Sequence, residues 1–132
     1  MPEIEVNMLA VVIAVIANFV FGFIWYTPLF GKVWARELGL DPNEKPPKSL
    51  MIQGMLFMVV GNFLMAWVLA NNMAAYNPLT WGFEPSPYPS LGVAFMAAFF
   101  TWMGFYLPVD VGVVTWERKS WKLFFINTGY HF

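Results

Sequence analysis

Hydrophobic residues in this chain fall into three long uncharged blocks, not the short alternating runs of a soluble fold. The blocks run from about Val6 to Tyr26, Leu50 to Ala70 and Pro89 to Val109. Each reaches the ~20 apolar residues that a helix needs to cross a bilayer core. The first predicted helix covers about residues 6–27, because Pro28 disfavours helical geometry in the residue before it. The second covers about 50–70, with Ser49 as N-cap, and ends before Asn71-Asn72. The third covers about 90–108, where Pro108 kinks or ends it. Ser120 caps the start of a fourth, 120–132, whose ~12 residues span roughly 18 Å of a ~30 Å core. Between the first two blocks, Phe30, Val33, Trp34 and Leu38 recur at helical spacing, with Lys32, Arg36 and Glu37 off the stripe. This predicts an amphipathic helix over about 29–39, lying in the membrane interface and ended by Gly39. Residues 41–47 form a stiff polar connector. The expected fold is an all-α membrane protein, a single helical domain over 1–132. It has three full transmembrane helices, an interfacial amphipathic helix and the start of a fourth transmembrane helix.

Charge orients these helices. All seven Lys and Arg lie in two segments, Lys32, Arg36, Lys45 and Lys48 in one and Arg118, Lys119 and Lys122 in the other. Three crossings put both on one face. The N-terminus and residues 71–90 carry no Lys or Arg. Loop Lys/Arg bias marks the cytoplasmic side, so the N-terminus is expected outside and the basic loops are expected to be cytoplasmic. Only 11% of residues are charged, against about a quarter in soluble domains. The lipid bilayer is thus the first partner, and no nucleic-acid partner is expected. The first block follows Glu3 and Glu5, not a basic segment, and no small-residue cleavage site ends it, so it reads as a retained helix.

The outer loop is unusual. Tyr76, Trp81, Phe83 and Tyr88 alternate with Pro78, Pro85, Pro87 and Pro89. A flexible linker is Gly/Ser-rich; this loop is expected to be stiff and to lie against headgroups or a partner subunit.

Few residues carry chemistry. Ala10, Ala14, Asn18 and Gly22 share one face of the first helix, and Gly54, Met58, Gly61, Asn62 and Met65 one face of the second. Gly92, Met96, Phe100 and Gly104 do so on the third. Small residues let helices approach and an Asn bonds across, so these faces read as packing seams, with a polar path on Asn18 and Asn62 as the alternative. Asp110, the only acid near a membrane segment, reads as a solvated interfacial carboxylate, or else as a proton carrier or a counter-ion for Arg118 or Lys119. His131 is the only His. It reads as a packing group, or as a ligand to haem iron or chlorophyll magnesium. Cys is absent, which excludes disulfides, thiolate metal sites and cysteine nucleophiles. No Ser/His/Asp set, paired carboxylates, HExxH or P-loop occurs, so no enzyme is expected.

Two segments resemble a known family. Phe21 to Leu40, "FGFIWYTPLFGKVWARELGL", and Phe100 to Phe132, "FTWMGFYLPVDVGVVTWERKSWKLFFINTGYHF", resemble the domain of unknown function numbered seventeen sixty-one, a family of small bacterial membrane proteins. The matching positions are Trp25, Tyr26, Pro28, Gly31, Lys32, Trp34, Pro108, Lys122, Asn127, Gly129 and Tyr130. The resemblance implies an architecture and no reaction. It also implies a complete fourth helix in relatives, whereas this sequence stops at Phe132, and a shorter outer loop than this one.

The function expected from these features is that of a non-catalytic accessory subunit packed among other membrane protein subunits, in an energy-converting assembly for example. The alternatives are a homo-oligomeric channel or small transporter, and a pigment- or haem-contacting subunit using His131.

Overall fold

The computed structural model describes residues 4–132, so Glu3 lies outside the described residues. The protein is 77% helical, with no strand among the described residues. Three helical stretches are long and apolar enough to cross a membrane: Met8–Leu29, Lys48–Tyr76 and Ser90–Thr115.

Helix α1 runs Met8–Ile24. The Asn7 side chain accepts from the Ala10 amide at 3.1 Å and covers one orphan donor of its first turn. Pro28 does not stop it. The helix widens instead into a π-helical turn, Trp25–Leu29, that contains Pro28 and closes with the Phe30 amide donating to the Trp25 carbonyl at 2.9 Å. Proline has no N–H, and its ring crowds the carbonyl four residues back; one extra residue in the turn relieves both. Gly31 is required next, because a Cβ there would stand 2.6 Å from the Tyr26 carbonyl oxygen. Helix α2, Gly31–Glu37, follows. Gly39, at φ +75°, closes it in the left-handed conformation that glycine adopts at low cost.

Helix α3 spans Lys48–Tyr76 and passes the expected end at Ala70. Asn71 does not break it, because its side-chain amide donates to the Trp67 carbonyl at 2.8 Å, one turn back. Ser49 is not the N-cap: Pro47 precedes the helix in extended geometry, and Ser49 lies inside the first turn. A 3-10 turn, Pro78–Trp81, folds back over the C-terminus. Thr80 Oγ1 donates to the Ala74 carbonyl and Trp81 Nε1 to the Ala75 carbonyl, both at 2.7 Å, so two carbonyls of the last turn gain side-chain donors.

Helix α4, Ser90–Thr101, leads into a second π-helical turn, Trp102–Tyr106, and then α5, Leu107–Thr115. Pro108 therefore does not end the span: the π turn is completed just before it and helical structure continues. Ser120 caps α6, Trp121–His131, its Oγ accepting from the Leu123 amide at 3.2 Å.

The expected single domain groups into two compact units, each drawing on both halves of the chain. One comprises α1 as far as Phe21 together with Pro47–Ala94; the other comprises Gly22–Pro46 with Phe95–Phe132. In the first unit, Val11 and Asn62 are buried, and Asn18 Nδ2 donates to Asn62 Oδ1 at 3.0 Å. In the second, burial concentrates on α6, in Leu123, Phe124, Ile126 and Thr128. Most other large apolar side chains are outward, among them Leu9, Ile16, Phe57 and Phe105. Such a surface suits lipid, where apolar contact with the surroundings costs nothing.

Candidate functional site

The second unit brings together the ionisable and polar side chains of its helices. Asp110 sits on α5, in the first turn after Pro108. It is 6% exposed, which corrects the expectation of a solvated interfacial carboxylate. α5 and α6 form an antiparallel pair across the Trp116–Ser120 turn, and the face of α5 that carries Asp110 looks onto α6. There Asp110 Oδ2 meets His131 Nδ1 at 2.9 Å. Arg118 and Lys119 are not its counter-ions, as the His131 contact is the only ion pair among the described residues.

A contact of that length needs a proton between the two atoms, since two lone pairs facing each other repel. With Asp110 as carboxylate, Nδ1 carries the hydrogen and donates. Any further bond of the ring, to a proton or to a metal centre, then falls to Nε2. The imidazole is flanked by Tyr106 at 4.8 Å and Tyr130 at 5.7 Å between ring centres. One turn back along α6, Tyr26 donates its hydroxyl to Asn127 Oδ1 at 3.1 Å. Tyr26 also packs edge-on against Tyr130, at 5.0 Å, and against Trp34 of α2, at 5.4 Å.

Two indoles fasten α6 from its other contacts. Trp25 Nε1 donates to the Ile126 carbonyl and Trp102 Nε1 to the Thr128 carbonyl, each at 2.9 Å. Glycines make room for the rings: a Cβ at Gly22 would meet the Tyr130 hydroxyl at 2.9 Å, and one at Gly129 would meet the Trp25 ring at 3.2 Å. The residues singled out by resemblance thus converge here. Trp25, Tyr26, Gly31 and Trp34 come from one end of the chain, and Asn127, Gly129 and Tyr130 from the other. Lys32 and Lys122 stay exposed.

The expected packing seams are only partly present. Gly22 packs closely, and Asn18 bonds Asn62. Gly54, Gly61 and Gly104 do not: a Cβ added at any of them would meet nothing within 4 Å. Ala10 and Ala14 are exposed. A spacing of four places small residues on one face, but it does not say whether another helix covers that face. In the loop between α3 and α4, and at its start, Tyr76, Trp81, Phe83 and Tyr88 are all exposed.

Sequence reasoning missed Tyr106 and Trp102, and it found Asp110 and His131 without pairing them. The signal that was available is the second Pro-associated interruption. Two apolar spans, each interrupted by proline near one end, are a sequence pointer to a site between membrane helices.

These features define an all-α protein with three helices long and apolar enough to cross a membrane and, on its helices, a buried carboxylate paired with a partly exposed imidazole. The chain belongs to the family described as a protein of unknown function, DUF1761, whose model matches residues 9–132. No curated protein and no solved structure matches it.

Proposed function

We propose that the protein is a small multi-pass channel or transporter that takes up and releases a proton at the His131–Asp110 pair. One observation carries this reading: a carboxylate that is 6% exposed, on a membrane-length helix, held 2.9 Å from the chain's only imidazole. Ionisable groups inside membrane helices are costly, and where they occur in pairs they mark proton relays and substrate pathways. Packing alone would be served at lower desolvation cost by an amide or an aliphatic side chain. A proton arriving at Nε2 turns the imidazole into an imidazolium against the carboxylate, and the pair passes from one net negative charge to none. In a low-dielectric setting that change favours different helix arrangements before and after uptake, which is what coupling to transport requires. The Lys and Arg distribution supports an orientation with the N-terminus outside and the basic loops cytoplasmic, in the bacterial inner membrane that the family resemblance implies.

The test is proton flux in liposomes holding a pH-sensitive dye, driven by a potassium diffusion potential. Wild-type protein should carry protons above protein-free vesicles. Asp110→Asn and His131→Gln should lose most of that flux, while Glu84→Gln, a loop carboxylate, should keep it. Wild-type flux equal to protein-free vesicles, or flux indifferent to both site variants, overturns the reading.

A second reading, a non-catalytic accessory subunit of a larger membrane complex, is supported by the outer loop. Tyr76, Phe83 and Tyr88 are 87%, 70% and 72% exposed on a segment tied down by the Thr80 and Trp81 bonds. Exposed aromatic anchors on a rigid support suit a partner. Gentle detergent extraction should then recover a larger assembly, and Tyr76→Ser with Phe83→Ser should release the protein from it; a monodisperse monomer in both cases removes this reading.

A further inference from the structure

Helix α6 is held by three side chains over three consecutive residues. Trp25 bonds the Ile126 carbonyl, Tyr26 the Asn127 side chain and Trp102 the Thr128 carbonyl. At about 100° per residue, the carbonyls of Ile126 and Thr128 lie roughly 200° apart around the axis, so the two indoles grip α6 from opposite sides. Each tryptophan is the first residue of a π-helical turn, Trp25–Leu29 in one case and Trp102–Tyr106 in the other. Such turns inside longer helices recur at functional sites. The Thr128 carbonyl already accepts from the Phe132 amide at 3.2 Å. The Trp102 bond is therefore not needed to satisfy an orphan group; what it adds is placement. His131 lies one turn beyond. A slip of α6 by one residue would carry its ring about 1.5 Å along the axis and about 100° around it, out of bonding reach of Asp110.

We propose that Trp25 and Trp102 are positioning residues, which set the height and rotation of α6 and so hold His131 as the Nδ1–H tautomer against Asp110. Its purpose rests on the functional reading above, but its test does not involve transport. The chain has one His, so protein labelled with nitrogen-15 in the imidazole gives a single pair of ring signals. Their shifts report which nitrogen carries the proton. Wild-type protein in nanodiscs should show Nδ1–H. Trp25→Phe and Trp102→Phe keep a ring but lose the donor. Each should raise the fraction of Nε2–H, the form that free imidazole side chains prefer, and the double variant should raise it further. Trp121→Phe, at a 57% exposed position, should leave the wild-type spectrum. If both single variants and the double keep the wild-type tautomer, the positioning role is wrong while the His131–Asp110 pair stands. If wild-type protein itself shows Nε2–H, the pair fails and the functional reading fails with it. A measurement on wild-type protein alone guards against misfolded variants: the indole hydrogens of Trp25 and Trp102 should exchange with deuterium more slowly than that of Trp116, which is 86% exposed. Equal exchange rates would overturn the clamp.

Discussion

A Cβ at Gly22 would stand 2.9 Å from the hydroxyl oxygen of Tyr130 and 3.3 Å from its ring, so α1 and α6 touch at a position where any larger residue must displace the Tyr130 side chain. Gly22→Ala should therefore destabilise the protein by about 1–3 kcal/mol, the usual cost of overpacking. Gly61→Ala, with nothing within 4 Å, should be neutral or should gain up to ~1 kcal/mol from helix propensity. Thermal unfolding in detergent separates the two. Tyr130→Phe, which removes the nearest atom, should recover part of the Gly22→Ala loss. Equal melting points for Gly22→Ala and Gly61→Ala would refute the contact.

Gly31 meets a harder obstacle. The atom 2.6 Å from its added Cβ is the Tyr26 carbonyl oxygen, which belongs to the backbone and cannot rotate away. Gly31→Ala should cost more than Gly22→Ala and should loosen the π turn at Trp25–Leu29. Amide hydrogen exchange at Phe30, whose N–H closes that turn, should quicken. Unchanged protection at Phe30 would show that the turn absorbs the extra carbon.

The Asn18–Asn62 bond is modest in energy and awkward to break. Asn18→Leu removes the donor and leaves the buried Asn62 oxygen unpaired. The expected loss is about 0.6 kcal/mol, the average for a side-chain hydrogen bond between membrane helices. Asn62→Leu should also remove a side-chain nitrogen that has no partner, so it should cost less than Asn18→Leu. The double Leu variant should fall short of the sum of the two singles. A strictly additive cycle would mean that the two amides do not interact.

Topology is read from accessibility. The chain has no Cys, so a single Cys introduced at Asn77 or at Lys45 reports alone. Asn77→Cys should react with an impermeant thiol reagent in intact cells, and Lys45→Cys should react only after lysis. The opposite pattern would invert the orientation.

The membrane-length helices were legible because bilayer thickness and the ban on unpaired backbone groups translate directly into long uncharged blocks. Gly39 and Ser120 were legible too, since a left-handed C′ residue and a hydroxyl N-cap are local devices. The helix ends at Thr27 and Ala70 were misread for a shared reason. Pro28 and Asn71-Asn72 look like breaks, yet a π turn accommodates the first, and a bond from Asn71 to Trp67 one turn back keeps the second helical. Sequence alone names a residue that disturbs a helix; it does not say whether the helix repairs itself.

By itself, then, the sequence determined which segments are helical and membrane-length, and where the basic residues lie between them. These are properties of composition and of local chain geometry. Tertiary structure alone decided that Asp110 is buried, that His131 is its partner, and that Trp25 and Trp102 hold α6 between them. It also decided that Gly22 is a contact while Gly61 is not. Asp110 and His131 are 21 residues apart, and Trp25 and Ile126 are 101 apart. No periodicity encodes a meeting at such separations. It depends on which face of each helix is covered, and that is settled only when the helices pack.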